Sequence, residues 1–366
     1  MFGKKYNAKK AEQLASLLLE RMGLSQEDAE ISAKILITAD LFGRQTHGLE
    51  RLNDYEKGIN HLQIVPSATP ELIHETPTSA LLDAHRAMGH STAYKAMKLC
   101  IQKAKTQGIG MVLVKNSNHY GIAGYYPYMA IQEHLFGLSV SNSEGLVVPT
   151  GGKRALLGSN PIAAGMYAEP YPYLLDMSTA VVPRGKVELF RREGKPLENG
   201  WAINEQGEIC SEPATVSGCI SQKTCGGILP LGGIGCNYGG HKGYGLSLLV
   251  EILTGIFACG PTSSDIRRYN RWDDDMSQFF LAIDYAVFED PHRIEVQLSH
   301  YLQMLRDSER MDADVPIQTT GQPEWMLCEK NQKEGIDITD TTYADLIHLG
   351  DVYQIDAASY LVEVSK

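Results

Sequence analysis

Two side chains with complementary chemistry, His47 and Arg51, stand four residues apart in the segment 46–52. We expect a helix over residues 47–58, capped by Thr46, so that both side chains share one face and the helix dipole lowers the pKa of His47. Histidine exchanges protons near neutral pH, and the arginine fork matches a carboxylate. The pair therefore suits a small hydroxy or keto acid, with Arg51 on the carboxylate and His47 on the neighbouring oxygen. An exposed helix with an incidental pair would show the same spacing.

A second histidine, His119, lies in the polar segment 116–126, where a predicted strand over 110–115 ends and a helix over 122–133 begins. Polar side chains at such junctions are often presented to ligands. His119 is flanked by small and polar residues rather than by an apolar face. The segment indicates either a ligand-facing histidine or a helix-capping loop with a histidine at the surface.

Glycine-rich segments follow. Glycine allows close backbone approach, and its N–H groups can bind phosphate or amide oxygens. Asp176, in the segment 175–179, is suited to orient a histidine or to accept a hydrogen bond from a ribose hydroxyl. His241 and Lys242 precede a predicted helix over 243–257, a position that favours an anion such as a pyrophosphate. A turn-rich β region and a solvated lysine are the alternatives.

The composition limits the classes of molecule that this protein can bind. The 366 residues include 33 Lys and Arg against 44 Asp and Glu, which gives a net charge of −11. This balance argues against nucleic-acid binding, which needs a basic face. The most apolar stretch, 245–260, is too short to span a bilayer, and the N-terminal residues do not resemble a signal peptide. The seven cysteines match no zinc spacing, so we expect reduced thiols, no metal site and a cytoplasmic location.

The chain is long enough for about two domains. Helical periodicity dominates residues 7–60, strands and helices alternate through the middle, and helices return over 295–308 and 339–349. This order predicts an α/β (α+β) fold. No G-x-G-x-x-G sequence stands between a strand and a helix, so a dinucleotide would have to bind in a non-Rossmann manner.

Taken in order, six segments resemble the malate/L-lactate dehydrogenase family, which lacks a Rossmann fold. The segments are THGLERL (46–52), NHYGIAGYY (118–126), GSNPIA (158–163), LDMST (175–179), GHKGYGL (240–246) and FFLAID (279–284). Each is weak alone, but six in the right order leave little room for coincidence. The resemblance runs from about Tyr6 to Asp351, and the family also includes sulfolactate, ureidoglycolate and diketogulonate oxidoreductases.

The resemblance implies hydride transfer between C2 of a 2-hydroxy acid and C4 of NAD(P), with NAD as the expected cofactor and NADP as the alternative. It implies a catalytic domain (76–289) with a largely antiparallel cofactor-binding sheet, a mostly helical domain (1–75 and 290–366), and a homodimer with its active site between domains.

By motif, His47 is the expected proton donor and acceptor, and Arg51 binds the substrate carboxylate. His119 lines the substrate oxygen or shares the acid–base role, and Asp176 completes the catalytic set. The segments that match cofactor contacts contain Ser143, Pro172, Tyr173, Leu174, Leu175, Asp176, Met177, Ser178, His241, Lys242, Gly321, Gln322, Pro323 and Glu324.

The chain departs from the family pattern at three places. Thr46 and Ala180 stand where the family usually has serine, and 321–324 reads GQPE instead of LPGE. Malate and oxaloacetate are the expected substrates, with Lys115 or Arg184 on the distal carboxylate. The alternatives are sulfolactate, lactate, ureidoglycolate, diketogulonate or an imine. The chain lacks the H-x-x-x-H or H-x-H spacing that a metal-dependent hydrolase would need. A non-catalytic ligand-binding protein is the remote alternative.

Overall fold

The computed structural model describes residues 4–267 and 275–364, and this part of the chain contains eleven α-helices and eleven strands. The helices are α1 (Ala8–Arg21), α2 (Gln26–Leu41), α3 (Leu52–Asn60), α4 (Gly89–Gln107), α5 (Tyr125–Ile131), α6 (Arg184–Glu193), α7 (Pro213–Gln222), α8 (Gly240–Glu251), α9 (Pro291–Arg306), α10 (Gln322–Glu334) and α11 (Asp340–Tyr353). The strands are β1 (Lys4–Tyr6), β2 (Glu71–Glu75), β3 (Ser79–Asp83), β4 (Ile109–Ser117), β5 (Phe136–Ser141), β6 (Ile162–Met166), β7 (Tyr173–Met177), β8 (Ala202–Ile203), β9 (Gly227–Ile228), β10 (Met276–Ile283) and β11 (Ile336–Ile338).

Seven of these strands form the main sheet, in the order β2-β3-β4-β10-β5-β6-β7. Only the pair β3 and β4 is parallel, and every other neighbouring pair in this sheet is antiparallel. A Rossmann sheet is built from parallel strands joined by helices, so this order excludes one. The predicted α/β (α+β) fold with a largely antiparallel sheet is confirmed.

The core of the sheet follows from the sequence pattern of its central strands. Val112 and Val114 alternate with more exposed residues along β4, and Phe280 of the neighbouring β10 is fully buried. Helix α4 packs on these strands through Met97 and other small or apolar residues. Gly110 permits the close approach, since a side-chain carbon there would overlap the carbonyl oxygen of Cys100.

A second core joins the two ends of the chain. Apolar residues of α1, α2, α3 and α11 pack together, among them Leu18, Leu36, Leu52 and Leu346. Strand β1 pairs with β11, which ties the first described residues to the C-terminal region. Local capping starts two of the helices, since the side chains of Asn7 and Ser25 each accept a backbone N–H bond.

The elements next to the predicted domain boundaries are β2 on the N-terminal side and α9 on the C-terminal side. Strand β2 starts at Glu71 and is an edge of the sheet. Helix α9 contacts the turn before β5, where Nδ1 of His134 lies 2.7 Å from the carboxylate of Glu295. The domain boundaries at 75/76 and 289/290 stay a prediction. The sequence does not predict helices α6, α7 and α10, because they bury few residues and so have only weak apolar periodicity.

No helix among the described residues is long and apolar enough to cross a membrane. They also contain no group of three His, Cys, Asp or Glu side chains placed to hold a metal ion. The seven cysteines are free thiols.

Candidate active site

The predicted single helix that begins at His47 is wrong. Residues Gln45–His47 and Leu49–Arg51 form two separate 3-10 turns, and α3 begins only at Leu52. Gly48, between the turns, has φ −97° and ψ −144°, which is far from helical geometry. The four-residue spacing of His47 and Arg51 therefore does not reflect a shared α-helical face.

A buried carboxyl shapes this double turn. Asp40, near the end of α2, is 5% exposed and accepts a 2.9 Å hydrogen bond from the backbone N–H of Leu49. Burial raises the pKa of Asp40 to about 8, although the bond from Leu49 acts in the opposite direction. A side-chain carbon on Gly48 would overlap this carboxyl group. Glycine at 48 and Asp40 together therefore set the course of the chain between His47 and Arg51.

The structure brings His47 and His119 together, with ring centroids 5.4 Å apart. The hydroxyl of Tyr55 lies 2.7 Å from Nδ1 of His119 and 3.4 Å from Nε2 of His90. The hydroxyl of Thr46 lies 3.0 Å from Nδ1 of His47. Each of the two paired histidines thus has Nδ1 held by a hydroxyl, which leaves Nε2 as the nitrogen for a substrate.

All three histidines favour the neutral form. Burial, followed by the charges of Arg51 and Arg44, lowers the pKa of His47 to about 4. Burial and then Arg51 lower the pKa of His119 well below its ordinary value of 6.5. Burial lowers the pKa of His90 to about 3. The predicted low pKa of His47 is confirmed, but burial and arginine charge cause it, not a helix dipole. Neutral imidazoles can accept a proton, as oxidation of a hydroxy acid requires.

Arg51 is oriented by two hydrogen bonds. Its Nε donates to the backbone oxygen of Thr46 at 2.6 Å, and its Nη1 donates to Asp54 at 3.0 Å. A guanidinium has five N–H donors, so these two bonds leave donors for a ligand. Arg51 is therefore both held in place and able to take a carboxylate.

Two predicted cofactor segments that are distant in sequence line one cavity of about 220 Å³. The lining includes Leu174, Leu175, Asp176, Met177, Gly321 and Glu324, together with Phe42, Arg44 and Thr320. A side-chain carbon on Gly321, where φ is +90°, would lie 2.8 Å from Leu174. The GQPE sequence therefore places a glycine at 321, where this close approach requires one. Apolar walls beside carboxylates fit a nucleoside with ribose hydroxyls.

Asp176 contacts no histidine through a hydrogen bond in the described residues. It accepts the backbone N–H of Gly124 at 2.9 Å, and burial raises its pKa to about 6. Arg44 and Glu324 form an ion pair of 2.6 Å in the same cavity. Of the two predicted roles of Asp176, this position favours the ribose over the histidine.

The remaining eight predicted cofactor residues lie in four places. Ser143 and Ser178 both bind the backbone of Ser159. The N–H of Ser159 donates to the hydroxyl of Ser143 at 3.0 Å, and the hydroxyl of Ser178 donates to the carbonyl oxygen of Ser159 at 2.9 Å. The other six divide between strand β7 and its approach, the start of α10, and the start of α8: Pro172 and Tyr173, Gln322 and Pro323, and His241 and Lys242. His241 and Lys242 line a separate open recess of about 400 Å³. The side chain of Gln322 accepts the backbone N–H of Thr319 at 3.2 Å.

Four residues of the site had escaped sequence reasoning: Asp40, Arg44, Tyr55 and His90. Tyr55 had a detectable signal, because it continues the four-residue spacing of His47 and Arg51. His90 and Asp40 had none, because a lone polar residue in a helix is usually a surface residue.

Gly48→Ala is expected to lower kcat/KM by at least about 10-fold, because a displaced turn misplaces His47, and to lower the free energy of unfolding by about 1–3 kcal/mol. Thermal unfolding and steady-state kinetics measure the two effects. The matched control is Gly218→Ala in α7, where a side-chain carbon has no neighbour within 4 Å. Equal behaviour of the two variants would contradict the role assigned to Gly48.

Comparison with known proteins agrees with this geometry. A family model described as malate/L-lactate dehydrogenase matches residues 6–347. The malate dehydrogenase of Pyrococcus abyssi is 42% identical over 321 residues, which cover 88% of this chain and 87% of that protein. The malate/(S)-sulfolactate dehydrogenase of Methanothermus fervidus is 33% identical over 345 residues, covering 93% of this chain and 95% of that protein.

The fold gives the same answer. The crystal structure of malate dehydrogenase from Entamoeba histolytica matches with a TM-score of 0.93 at 31% identity, covering 96% of this chain and 99% of that one. Sequence and fold thus agree over nearly the whole chain. This protein belongs to the malate/L-lactate dehydrogenase family, a family of oxidoreductases whose chemistry implies a nicotinamide cofactor.

Proposed function

We propose that this protein catalyses the reversible oxidation of malate to oxaloacetate with NAD. The observation that carries the proposal is the pair of neutral histidines, His47 and His119, 5.4 Å apart beside the oriented guanidinium of Arg51. This set supplies the proton acceptor and the carboxylate ligand that a 2-hydroxy acid needs. The relatives named malate dehydrogenase support the choice of substrate.

Arg51 and the two histidines have separate roles in this reaction. Arg51 binds the C1 carboxylate and so places the 2-hydroxyl beside the histidines. One histidine takes the hydroxyl proton at Nε2 as malate is oxidised, and returns it in the reverse direction. The nicotinamide, when bound, accepts or supplies the hydride at C2.

Tyr55 orients His119 for proton transfer. A tyrosine hydroxyl can accept a hydrogen bond, so it can accept the Nδ1–H of His119 while Nε2 is bare and keep that bond after Nε2 has taken the substrate proton. The 2.7 Å contact therefore supports an imidazole that exchanges its proton at Nε2. Asp176 and the cavity around it would hold the cofactor ribose.

The cavity also supports NAD over NADP. It holds the carboxylates of Asp176 and Glu324, and its arginine, Arg44, is already paired with Glu324 at 2.6 Å. A 2′-phosphate in this cavity would face like charge, which is unfavourable. A cytoplasmic location belongs to the same proposal and is supported by the seven free cysteines.

The test is a panel of keto acids assayed with NADH and with NADPH at 340 nm. We expect the highest kcat/KM for oxaloacetate, and a lower KM for NADH than for NADPH. A higher kcat/KM for sulfopyruvate would favour sulfolactate oxidation, the second candidate, which the relative from Methanothermus fervidus supports. No turnover of any 2-keto acid would contradict the proposal as a whole.

The proposal includes a homodimer. Helix α8 and the turn that follows it carry a row of exposed apolar side chains: Leu248, Leu249, Ile252, Ile256 and Phe257. An exposed apolar patch of this kind marks an interaction surface, and in a symmetric pair the same patch serves both chains.

Light scattering is expected to give twice the subunit mass of 40.3 kDa. Phe257→Glu is expected to shift the protein towards the monomer, because it buries a charge at the interface. Leu72→Glu, on the exposed edge strand β2, is the control and should not change the mass. A fully active monomer at micromolar concentration would refute the dimer.

A further inference from the structure

A partly buried carboxylate outside the assigned site lies among three cations. The side chain of Glu144 is 15% exposed and contacts Nη1 of Arg184 directly. Nη1 of Arg267 and Nζ of Lys223 lie 3.6 Å from its two oxygens. The cations come from the start of α6, the residue after α7, and the segment 261–267, so Glu144 joins three separate parts of the chain. We call Arg184, Lys223, Arg267 and Glu144 the four-residue charge cluster.

In the charge cluster, three cationic side chains lie around one carboxylate. Burial acts to raise the pKa of Glu144, but Arg267, Arg184 and Lys223 outweigh it and hold that pKa below its ordinary value. The side chains of Arg184, Lys223 and Arg267 are 39%, 30% and 30% exposed, so a ligand can reach them. Across residues 4–267 and 275–364, Arg184 has no hydrogen-bond acceptor besides Glu144, which leaves most of its donors for a ligand.

The cluster lies beside the paired histidines. Gly185, next to Arg184, approaches the turn before His47, since a side-chain carbon on it would lie 3.5 Å from Cγ2 of Thr46. Arg267 is near enough to His119 for its charge to lower the pKa of that histidine. The cluster is thus separate from Arg51 in sequence but borders the same substrate space.

We propose that Arg184, Lys223 and Arg267 form a second anion site that binds the distal carboxylate, or an equivalent sulfonate, of the substrate. Glu144 is a positioning residue that holds the three cations together in the absence of ligand. This inference rests on the proposed function and deepens it: Arg51 takes the C1 carboxylate, and the cluster selects for a second anion at C3. Of the two cations considered from sequence, Arg184 belongs to this site, whereas Lys115 lies 3.7 Å from Asp83.

The test compares two substrate pairs that differ only in the distal carboxylate. Arg184→Gln should lower kcat/KM for oxaloacetate by about 10²-fold, as expected for loss of a desolvated charge contact, and change that for pyruvate less than about 3-fold. Calorimetry with the NADH-bound enzyme should show the same contrast between malate and lactate. Lys223→Gln should act in the same direction, which covers the case in which Arg184→Gln fails to fold.

Arg191→Gln is the matched control, because Arg191 lies on the same helix and pairs with Glu188 at the surface. It should leave both substrates unchanged. Equal losses for oxaloacetate and pyruvate, or no loss for either, would overturn the anion site. Weaker binding of NADH or NADPH, followed by fluorescence, would assign the cluster to a cofactor phosphate and also overturn it. Failure of the proposed function differs from all of these, because the unmodified protein would then turn over no keto acid.

Discussion

His47→Ala is expected to lower kcat for oxaloacetate reduction by about 10²–10⁴-fold, with a smaller change in KM. The alkoxide that forms at C2 must receive a proton as the hydride arrives, so a histidine donor acts mainly in the transition state. His119 lies in the same space and has the hydroxyl of Tyr55 at its Nδ1. The experiment therefore pairs His47→Ala with His119→Ala, each assayed across pH.

The pH profile gives a second readout. Oxidation of malate requires a neutral base, and the pKa of His47 is about 4 in the free protein. The lowered pKa favours the neutral base, so kcat/KM for malate should stay constant well below pH 6.5 and fall only as the pH approaches about 4.

The two variants separate the assignments. If His47→Ala keeps nearly full kcat and an unshifted profile while His119→Ala is inactive, the proton donor is His119. If both variants are fully active, the dehydrogenase mechanism proposed here fails.

Arg51→Lys is expected to raise KM for the keto acid by about 10–10²-fold and to leave the Kd of NADH nearly unchanged. Lysine keeps the charge but loses the planar fork that binds a carboxylate through two bonds. It also loses the Nε bond to the backbone of Thr46, which orients the side chain. Steady-state kinetics gives KM, and quenching of protein fluorescence gives the Kd.

Asp54→Asn is the control for this prediction. It removes the charge that pairs with Arg51 at 3.0 Å but keeps the guanidinium itself, so its effect on KM should be smaller than that of Arg51→Lys. An increase in the Kd of NADH as large as that in KM would show that Arg51 does not act on the keto acid alone.

Local sequence patterns predicted much of the fold. The strands Phe136–Ser141 and Tyr173–Met177 have the predicted bounds, because short apolar runs between turn residues are typical of buried strands. The helix that begins after Ser25 also matches, since its cap and its acidic first turn act within a few residues. These features depend on neighbours along the chain, which a sequence shows directly.

The turn at Gly48 could not be predicted in the same way. The residues around it have ordinary helical spacing, but the carboxyl of Asp40 replaces the helical hydrogen bonds with a contact to the N–H of Leu49. That contact depends on how α2 packs against the turn. Likewise, the separate segments at Asp176 and Gly321 share a cavity only because the chain folds back on strand β7.

By itself, the sequence determined the chemical inventory of this protein: histidines, an arginine and glycines in a recognisable order, on a mixed and largely antiparallel fold. The tertiary structure decided the protonation state and the grouping of that inventory. Burial lowers the pKa values of His47 and His119, and burial exists only once separate segments pack. The cations around Glu144 came together for the same reason, since residues from three separate segments meet one carboxylate only in the folded chain.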